Sequence, residues 1–312
     1  MFGRILGAIG KTLIVAGLLV LGFVGYQLWG TSLAESNAQA ELTKTLAGDS
    51  GVEASGGKVL VQQLAEELSA VDATTAPPTA PPPEGDPVGV ITIPKIGLQR
   101  VIVEGVAKPD LKKGPGHYPG TPLPGQAGNS AIAGHRTTYG APFNRIDELV
   151  PGDEIKVATP QGEFTYLVIP APGQTTQAWY TVSPAQVEVL ANMGDNRITL
   201  TACHPKYSAK QRIVVHGVLK TPTAAAAPVV ATAPSPPTPD KASAQFDEGQ
   251  AGDSKALTTS LLFGAAAAAV ALAAWLLGKF LRKWPIYVLA TPAILVLIWF
   301  GYVYMDRYLP TL

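Results

Sequence analysis

Three runs of the chain carry no charged residue: Thr12 to Ala34, Ala256 to Gly278 and Trp284 to Met305, each 22 or 23 residues long. About 20 apolar residues in helix cross the hydrocarbon of a bilayer, so this pattern predicts three membrane-spanning helices. Between the first two runs the periodicity changes twice. Glu35 to Ala73 is polar and alanine-rich, with Leu60, Leu64 and Leu68 at helical spacing. The stretch from 88 to 220 instead breaks into short alternating or β-branched runs punctuated by Gly and Pro: Val88 to Ile93, Arg100 to Val103, Asn129 to Ala133, Glu154 to Ala158, Phe164 to Ile169, Arg197 to Ala202 and Arg212 to Leu219. Seven or eight such strands in so short a span predict a small closed β-barrel, with helical turns near Phe143 to Leu149 and Pro184 to Met193.

Two spacers frame this barrel. Ala76 to Pro87 is dominated by proline, cannot donate the hydrogen bonds of a helix or central strand, and reads as an extended linker. Thr221 to Asp240 is Ala, Pro, Thr and Ser with little else, and leads through a polar stretch to the second apolar run. The expected organisation is an N-terminal anchor (1–34), a stalk and Pro-rich linker (35–87), a folded β-domain (88–220), a flexible linker (221–255) and two further spans (256–278 and 284–305).

Charge fixes an orientation. Arg4 and Lys11 precede the first span, and Lys279, Arg282 and Lys283 fill the tight connection between the second and third. Basic flanks stay in the cytoplasm, so both clusters place residues 35 to 255 outside it and make the chain a multi-pass protein of the cell membrane. The first run could alternatively be a cleaved signal peptide ending at Ala38-Gln39-Ala40, but it is long for one and the Ala-x-Ala lies past its end. Overall 47% hydrophobic and 15% charged residues agree with a membrane protein. Residues 86 to 220 hold 13 Lys and Arg against 10 Asp and Glu, which gives no basic stripe of the kind nucleic acid requires.

The only cysteine, Cys203, lies in Thr199-Leu-Thr-Ala-Cys203-His-Pro-Lys-Tyr-Ser-Ala-Lys-Gln-Arg212. A lone cysteine in an exported domain forms no intramolecular disulfide, so it is inert, an intermolecular partner or a reactive thiol. Pro205 cannot continue the preceding strand and leaves Cys203 at its exit, where a side chain can be half exposed. If the strands before and after the 204–211 loop pair antiparallel, the permanent cation of Arg212 sits beside the thiol and favours its thiolate. A proton acceptor is also needed, and the chain offers His117, His135, His204 and His216. His204 adjoins the cysteine and points to the opposite face of an extended chain. His216 lies deeper in its strand and His117 in a Gly/Pro loop. His135 leaves an apolar strand as Cys203 does; the choice among the four stays open on these grounds, with His135 ahead on placement.

Thr199-Leu-Thr-Ala-Cys203 resembles the sortase signature Thr-Leu-x-Thr-Cys, with Ala202 just before the cysteine. Ala133-Gly-His-Arg-Thr-Thr-Tyr-Gly-Ala-Pro-Phe143 and the run from Cys203 to Arg212 resemble class E sortases of high-GC Gram-positive bacteria. The resemblance covers about residues 88 to 220 and implies a closed eight-stranded sortase barrel. It further implies a cysteine transpeptidase in which Cys203 attacks the Thr-Gly carbonyl of an LPXTG-like or LAXTG-like sorting signal. His135 would be the acid and base, and Arg212 would hold the peptide and the oxyanion. Tyr118 and Thr201 correspond to signal-recognising residues of class E relatives. Its implied partners are secreted proteins with C-terminal sorting signals and, as acceptor, a peptidoglycan precursor or pilin amine, met at the membrane lipid. No cofactor or metal is expected, since Asp147, Glu148, Asp153 and Glu154 read as solvated loop charges. Asp86-Pro87-Val88 has two residues of the Asp-Pro-aromatic lid of pilin-class relatives but lacks the aromatic, and the paired C-terminal spans depart from a single N-terminal anchor. Competing readings are a cysteine hydrolase using water, and a non-catalytic β-domain for adhesion or assembly.

Overall fold

The computed structural model describes residues 2–51, 60–225, 254–281 and 283–309, which fall into two compact units. Most of the expected 221–255 linker lies outside the described residues, as does Arg282.

The first unit holds the apolar runs. Phe2–Gly25 is α-helical and passes into a π-helical turn, Tyr26–Gly30. Ser254–Phe280 and Lys283–Tyr308 are the other two helices. By length and composition all three could cross a membrane. Polar side chains within them find carbonyl partners. The Ser260 hydroxyl donates to the Gly301 carbonyl at 2.9 Å and the Tyr302 hydroxyl to the Leu19 carbonyl at 2.7 Å. Such pairing removes the cost of a lone polar group in hydrocarbon.

The second unit, beginning at Thr31, is built on a barrel. Its strands among the described residues are β1 (Pro87–Ile93), β2 (Leu98–Glu104), β3 (Gly116–His117), β4 (Asn129–Ala133), β5 (Glu154–Thr159), β6 (Gly162–Val168), β7 (Trp179–Val182), β8 (Arg197–His204) and β9 (Gln211–Leu219). Eight of them form a ring in the order β6-β5-β1-β2-β3-β4-β8-β9, closed where Tyr166 to Val168 of β6 meet Leu219 to Gly217 of β9. The ninth, β7, pairs with β9 at Arg212 to Val215, beyond the part of that edge used by β6. The eight-stranded closed barrel expected from the sequence is therefore present. Two pairings, β2 with β3 and β4 with β8, are parallel.

The strands carrying β-branched and alternating residues follow the predicted runs to within a few residues. Two strands gave no periodic signal. β3 is two residues inside a Gly- and Pro-rich loop, and β7 is a four-residue strand, Trp-Tyr-Thr-Val, after a polar Gln-Thr-Thr-Gln stretch. The predicted helical turns are present as short 3₁₀ pieces, Ile146–Glu148 and Val187–Leu190. Inside the barrel Ile91, Ile132, Phe164, Ile198, Leu200 and Ile213 are fully buried. Each such side chain contributes roughly 1.5–3 kcal/mol by leaving water.

β1 and β2 are apolar on both faces, and this explains the fate of the segment before them. Val90, Val101 and Val103 point away from the interior and are covered by Leu42 and Leu46 of the Thr31–Asp49 helix and by Leu64 and Leu68 of the Val61–Ser69 helix. The alanine-rich stretch expected as a stalk thus packs on the barrel. Ala38-Gln39-Ala40 lies in the middle of the first of these helices. The proline-rich spacer is also tied down. Gln126 Nε2 donates to the Thr79 carbonyl at 2.9 Å, and Gln161 Nε2 donates to those of Pro77 and Ala225, which brings the chain ends on either side of the barrel to one point.

Candidate active site

β8 and β9 form an antiparallel ladder in which Cys203 is paired with Arg212. Side chains alternate along a strand. Ile198, Leu200 and Ala202 enter the barrel core, so Thr199, Thr201 and Cys203 share the other face. On β9, Ile213 and Val215 belong to the core, leaving Arg212, Val214 and His216 on that same outer face.

β4 runs parallel to β8 with Ala131 against Thr199 and Ala133 against Thr201. The Gly134 amide continues this ladder by donating to the Thr201 carbonyl at 3.0 Å. His135 follows Gly134 just past the end of β4, at the same end of the barrel as Cys203. Cys203, His135 and Arg212 thus leave three adjacent strands at one end of the barrel.

The other two candidates complete the group. The Tyr118 hydroxyl and Thr201 Oγ1 are 3.1 Å apart and hydrogen-bonded. Burial raises the Tyr118 phenol to about 12, against the pull of Thr201 and of the nearby Arg212 cation. Tyr118, Thr201, Cys203 and Arg212 thus lie together, and His135 follows β4 at the same end of the barrel.

The electrostatics of the thiol differ from the sequence expectation. β8 continues past Ala202 through Cys203 to His204, so the cysteine sits within the ladder and is 1% exposed rather than half exposed at a loop. The ladder partner Gln211 of His204 holds the strand together beyond the predicted end. Burial pushes the Cys203 thiol above its ordinary value, and the cations of Arg212 and then Arg136 draw it back only in part. The resting sulfur is therefore a thiol at neutral pH.

Arg136 was not singled out by sequence. Its guanidinium is buried and pairs with Asp147 at 2.8 Å, while Nη1 donates to His204 Nδ1 at 3.0 Å and reaches the Cys203 carbonyl at 3.5 Å. The Arg136 carbonyl accepts from Asn144 Nδ2 at 2.7 Å. This one side chain links the loop after His135 to the strand end carrying Cys203. An arginine beside a histidine carries no periodic signal; only its place in the quoted His135-Arg136 string marked it.

The remaining histidines are engaged elsewhere. His204 falls on the opposite face from Cys203, between Arg136 and the Trp179 ring, and burial with Arg136 beside it lowers its basicity. His117 is fully buried, with Nδ1 2.7 Å from the Glu104 carboxylate and Nε2 2.9 Å from the Pro122 carbonyl. His216 bridges Thr199 Oγ1 at 2.9 Å and the Tyr180 hydroxyl at 2.8 Å. Thr199 spends its proton on Asn129 Oδ1, so His216 Nδ1 donates to Thr199 and Nε2 accepts from Tyr180. Of the loop acids, Asp147 holds Arg136, Glu148 pairs with Arg145 at 2.6 Å and Asp153 accepts from the Val150 amide. Among the described residues no group of acids, histidines or cysteine has the arrangement of a metal site.

This geometry can be set beside known proteins. The model of the Sortase domain matches residues 91–220. Sortase D of Bacillus subtilis is 34% identical over 157 residues, covering 50% of this chain and 72% of that protein. Sortase SrtE1 of Streptomyces coelicolor is 33% identical over 225 residues, covering 67% of this chain but 56% of its own length, so the match spans little more than half of that relative. Among solved structures, sortase E from Streptomyces avermitilis is 35% identical, covering 44% of this chain and 90% of that one, with a TM-score of 0.38. With sortase D matched over nearly three quarters of its length and sortase E proteins also among its relatives, this chain belongs to the sortase family.

Proposed function

We propose that this protein is a membrane-anchored cysteine transpeptidase. It cleaves an LPXTG-like or LAXTG-like sorting signal between Thr and Gly and transfers the new carboxyl end to an amine of a peptidoglycan precursor or a pilin. The observation that carries this reading is the pairing of Cys203 with Arg212 across the β8–β9 ladder, with His135 just past the end of the neighbouring strand β4.

The steps follow from those positions. His135 takes the Sγ proton as sulfur attacks the threonine carbonyl, and the carbonyl oxygen gains the negative charge that Arg212 balances. The C–N bond breaks, the glycine amine leaves with the proton from His135, and a thioester remains. The incoming amine then attacks the thioester, gives its proton to His135 and releases the thiol. Tyr118 and Thr201, joined by their hydroxyls, line the same face and hold the signal peptide. In the orientation set by the basic flanks, residues 35 to 255 are extracytoplasmic. Secreted substrates and lipid-linked acceptors are met there at raised local concentration.

The test uses the full-length chain in detergent with a quenched LAXTG-type peptide, with and without triglycine. The expected result is an amide product that appears only with the amine. Hydrolysis never diverted to amide would instead make the protein a cysteine hydrolase. Cys203→Ala, His135→Ala and Arg212→Ala each lose most of the activity, while His204→Ala keeps it. Full activity in Cys203→Ala would remove the enzymatic reading altogether.

A further inference from the structure

His135 is followed by a tight loop whose backbone has to be held from outside. The His135 carbonyl accepts from the Phe143 amide at 3.1 Å, closing the loop. At its tip Tyr139, Gly140 and Ala141 have φ of 50°, 71° and 43°. Left-handed backbone at two residues with a Cβ persists only where neighbouring structure over-determines it. The Tyr139 ring lies tilted over His135 with centroids 5.4 Å apart, so the loop tip and the histidine ring share one position.

The neighbour that meets this tip is the Thr31–Asp49 helix. Thr31 Oγ1 accepts the Tyr139 N–H at 3.3 Å. The Glu35 carboxylate lies against Gly140, where a methyl group would sit 2.6 Å from Oε2. The helix is itself registered on β2. Arg100 Nε donates to Glu35 at 2.8 Å. Gln39 accepts the Val101 N–H at 2.8 Å and donates to the carbonyls of Val101 and Lys113. Thr31, Glu35 and Gln39 recur every four residues and so share one helix face. Burial outweighs Arg100 at Glu35 and raises its carboxyl above the ordinary range. A polar stripe buried at that cost is aimed at the loop and at the strand beside it.

We infer that the Thr31–Asp49 helix positions His135 for the reaction, with Thr31 and Glu35 acting as positioning residues through Tyr139 and Gly140. The inference rests on the transpeptidase reading, in which His135 moves protons. It means that the segment ahead of the barrel is part of the working enzyme rather than a tether.

The test compares full-length Thr31→Val and Thr31→Ser with the parent, in the peptide and triglycine assay across pH. Thr31→Val removes the acceptor at nearly constant volume and is expected to lower kcat about tenfold with KM little changed, a size in keeping with a sub-ångström displacement of a reacting group. The pH profile of kcat shifts with it. Thr31→Ser, which keeps the hydroxyl, restores both. Glu35→Gln, also isosteric, gives a smaller loss of the same kind and decides the matter if Thr31→Val does not fold. Parent-like kcat and pH profile in both Thr31→Val and Glu35→Gln, while Cys203→Ala and His135→Ala are dead, would overturn the positioning role alone. An active Cys203→Ala would sink the transpeptidase reading beneath it.

Discussion

Cys203 and Arg212 are direct partners across an antiparallel ladder, a relationship that puts Cβ atoms roughly 4.5–5.5 Å apart. The chain needs only an eight-residue connection, His204 to Gln211, to bring the thiol and a permanent cation to one barrel end. Burial and charge then oppose each other at the sulfur, and burial wins. The rate of Cys203 alkylation by iodoacetamide should therefore rise with pH through an inflection above that of a free cysteine, roughly 8.5. Arg212→Met keeps volume and removes the charge, and the inflection should move further up. An inflection that stays in place would show that the guanidinium does not act on Sγ.

Arg136 ties the His135 loop to the Cys203 strand with donors directed at a carboxylate, a carbonyl and an imidazole. A planar guanidinium fork can serve those acceptors at once, whereas an ammonium serves them poorly. Arg136→Lys should lose about 2 kcal/mol of stability in urea unfolding. Asp147 is partly exposed and can turn to water, which keeps the loss below that of a wholly buried ion pair. Parent-like unfolding of Arg136→Lys would mean that charge alone suffices there.

The sequence made the long apolar helices and the barrel legible because both depend on repeating patterns, an unbroken apolar run and alternation with Gly and Pro stops. The nearness of Cys203 and Arg212 was legible through their spacing, since they flank one short loop, whereas placement alone left the choice among the four histidines open. What stayed hidden depended on contacts between distant segments. No local pattern shows that Gln39 will complete the hydrogen bonding of Val101, 62 residues away. The cover that Leu42, Leu46, Leu64 and Leu68 give the outer valines of β1 and β2 is likewise a contact between distant segments. The burial of Cys203 was hidden for a similar reason, since Pro205 marks a stop two residues after the cysteine while the ladder with Gln211 carries β8 to His204.

Gly134 lies between β4 and His135, and a methyl group there would come within 2.6 Å of the Phe143 ring. Phe143 is fully buried in the core and its amide closes the His135 loop, so the ring has little freedom to retreat. Gly134→Ala should cost roughly 1–3 kcal/mol through overpacking and displace His135 with the loop. Activity should fall more steeply than stability, measured as kcat at a temperature where the variant is still folded. A variant with lowered melting temperature and parent kcat would show that the loop absorbs the shift without moving the histidine.

His216 offers a test of the barrel itself by pH. Burial, helped by Arg197 and opposed by Asp195, lowers its imidazole to about 4 from an ordinary 6.5. The neutral ring is the form that fits, donating to Thr199 and accepting from Tyr180. A depressed histidine contributes stability that is fully present above its unfolded value and is lost as pH falls from 6.5 through 4, because the unfolded chain takes up the proton first. At pH 4 the loss should approach about 3 kcal/mol. His216→Gln does not titrate, so at pH 7.5 it should be less stable than the parent, and the gap should narrow steadily as pH is lowered to 4. Urea unfolding of both proteins across that range measures the gap directly. A gap that is constant with pH would mean that the imidazole titrates alike in the folded and the unfolded chain, and a gap that widens as pH falls would mean that it is already protonated within the fold.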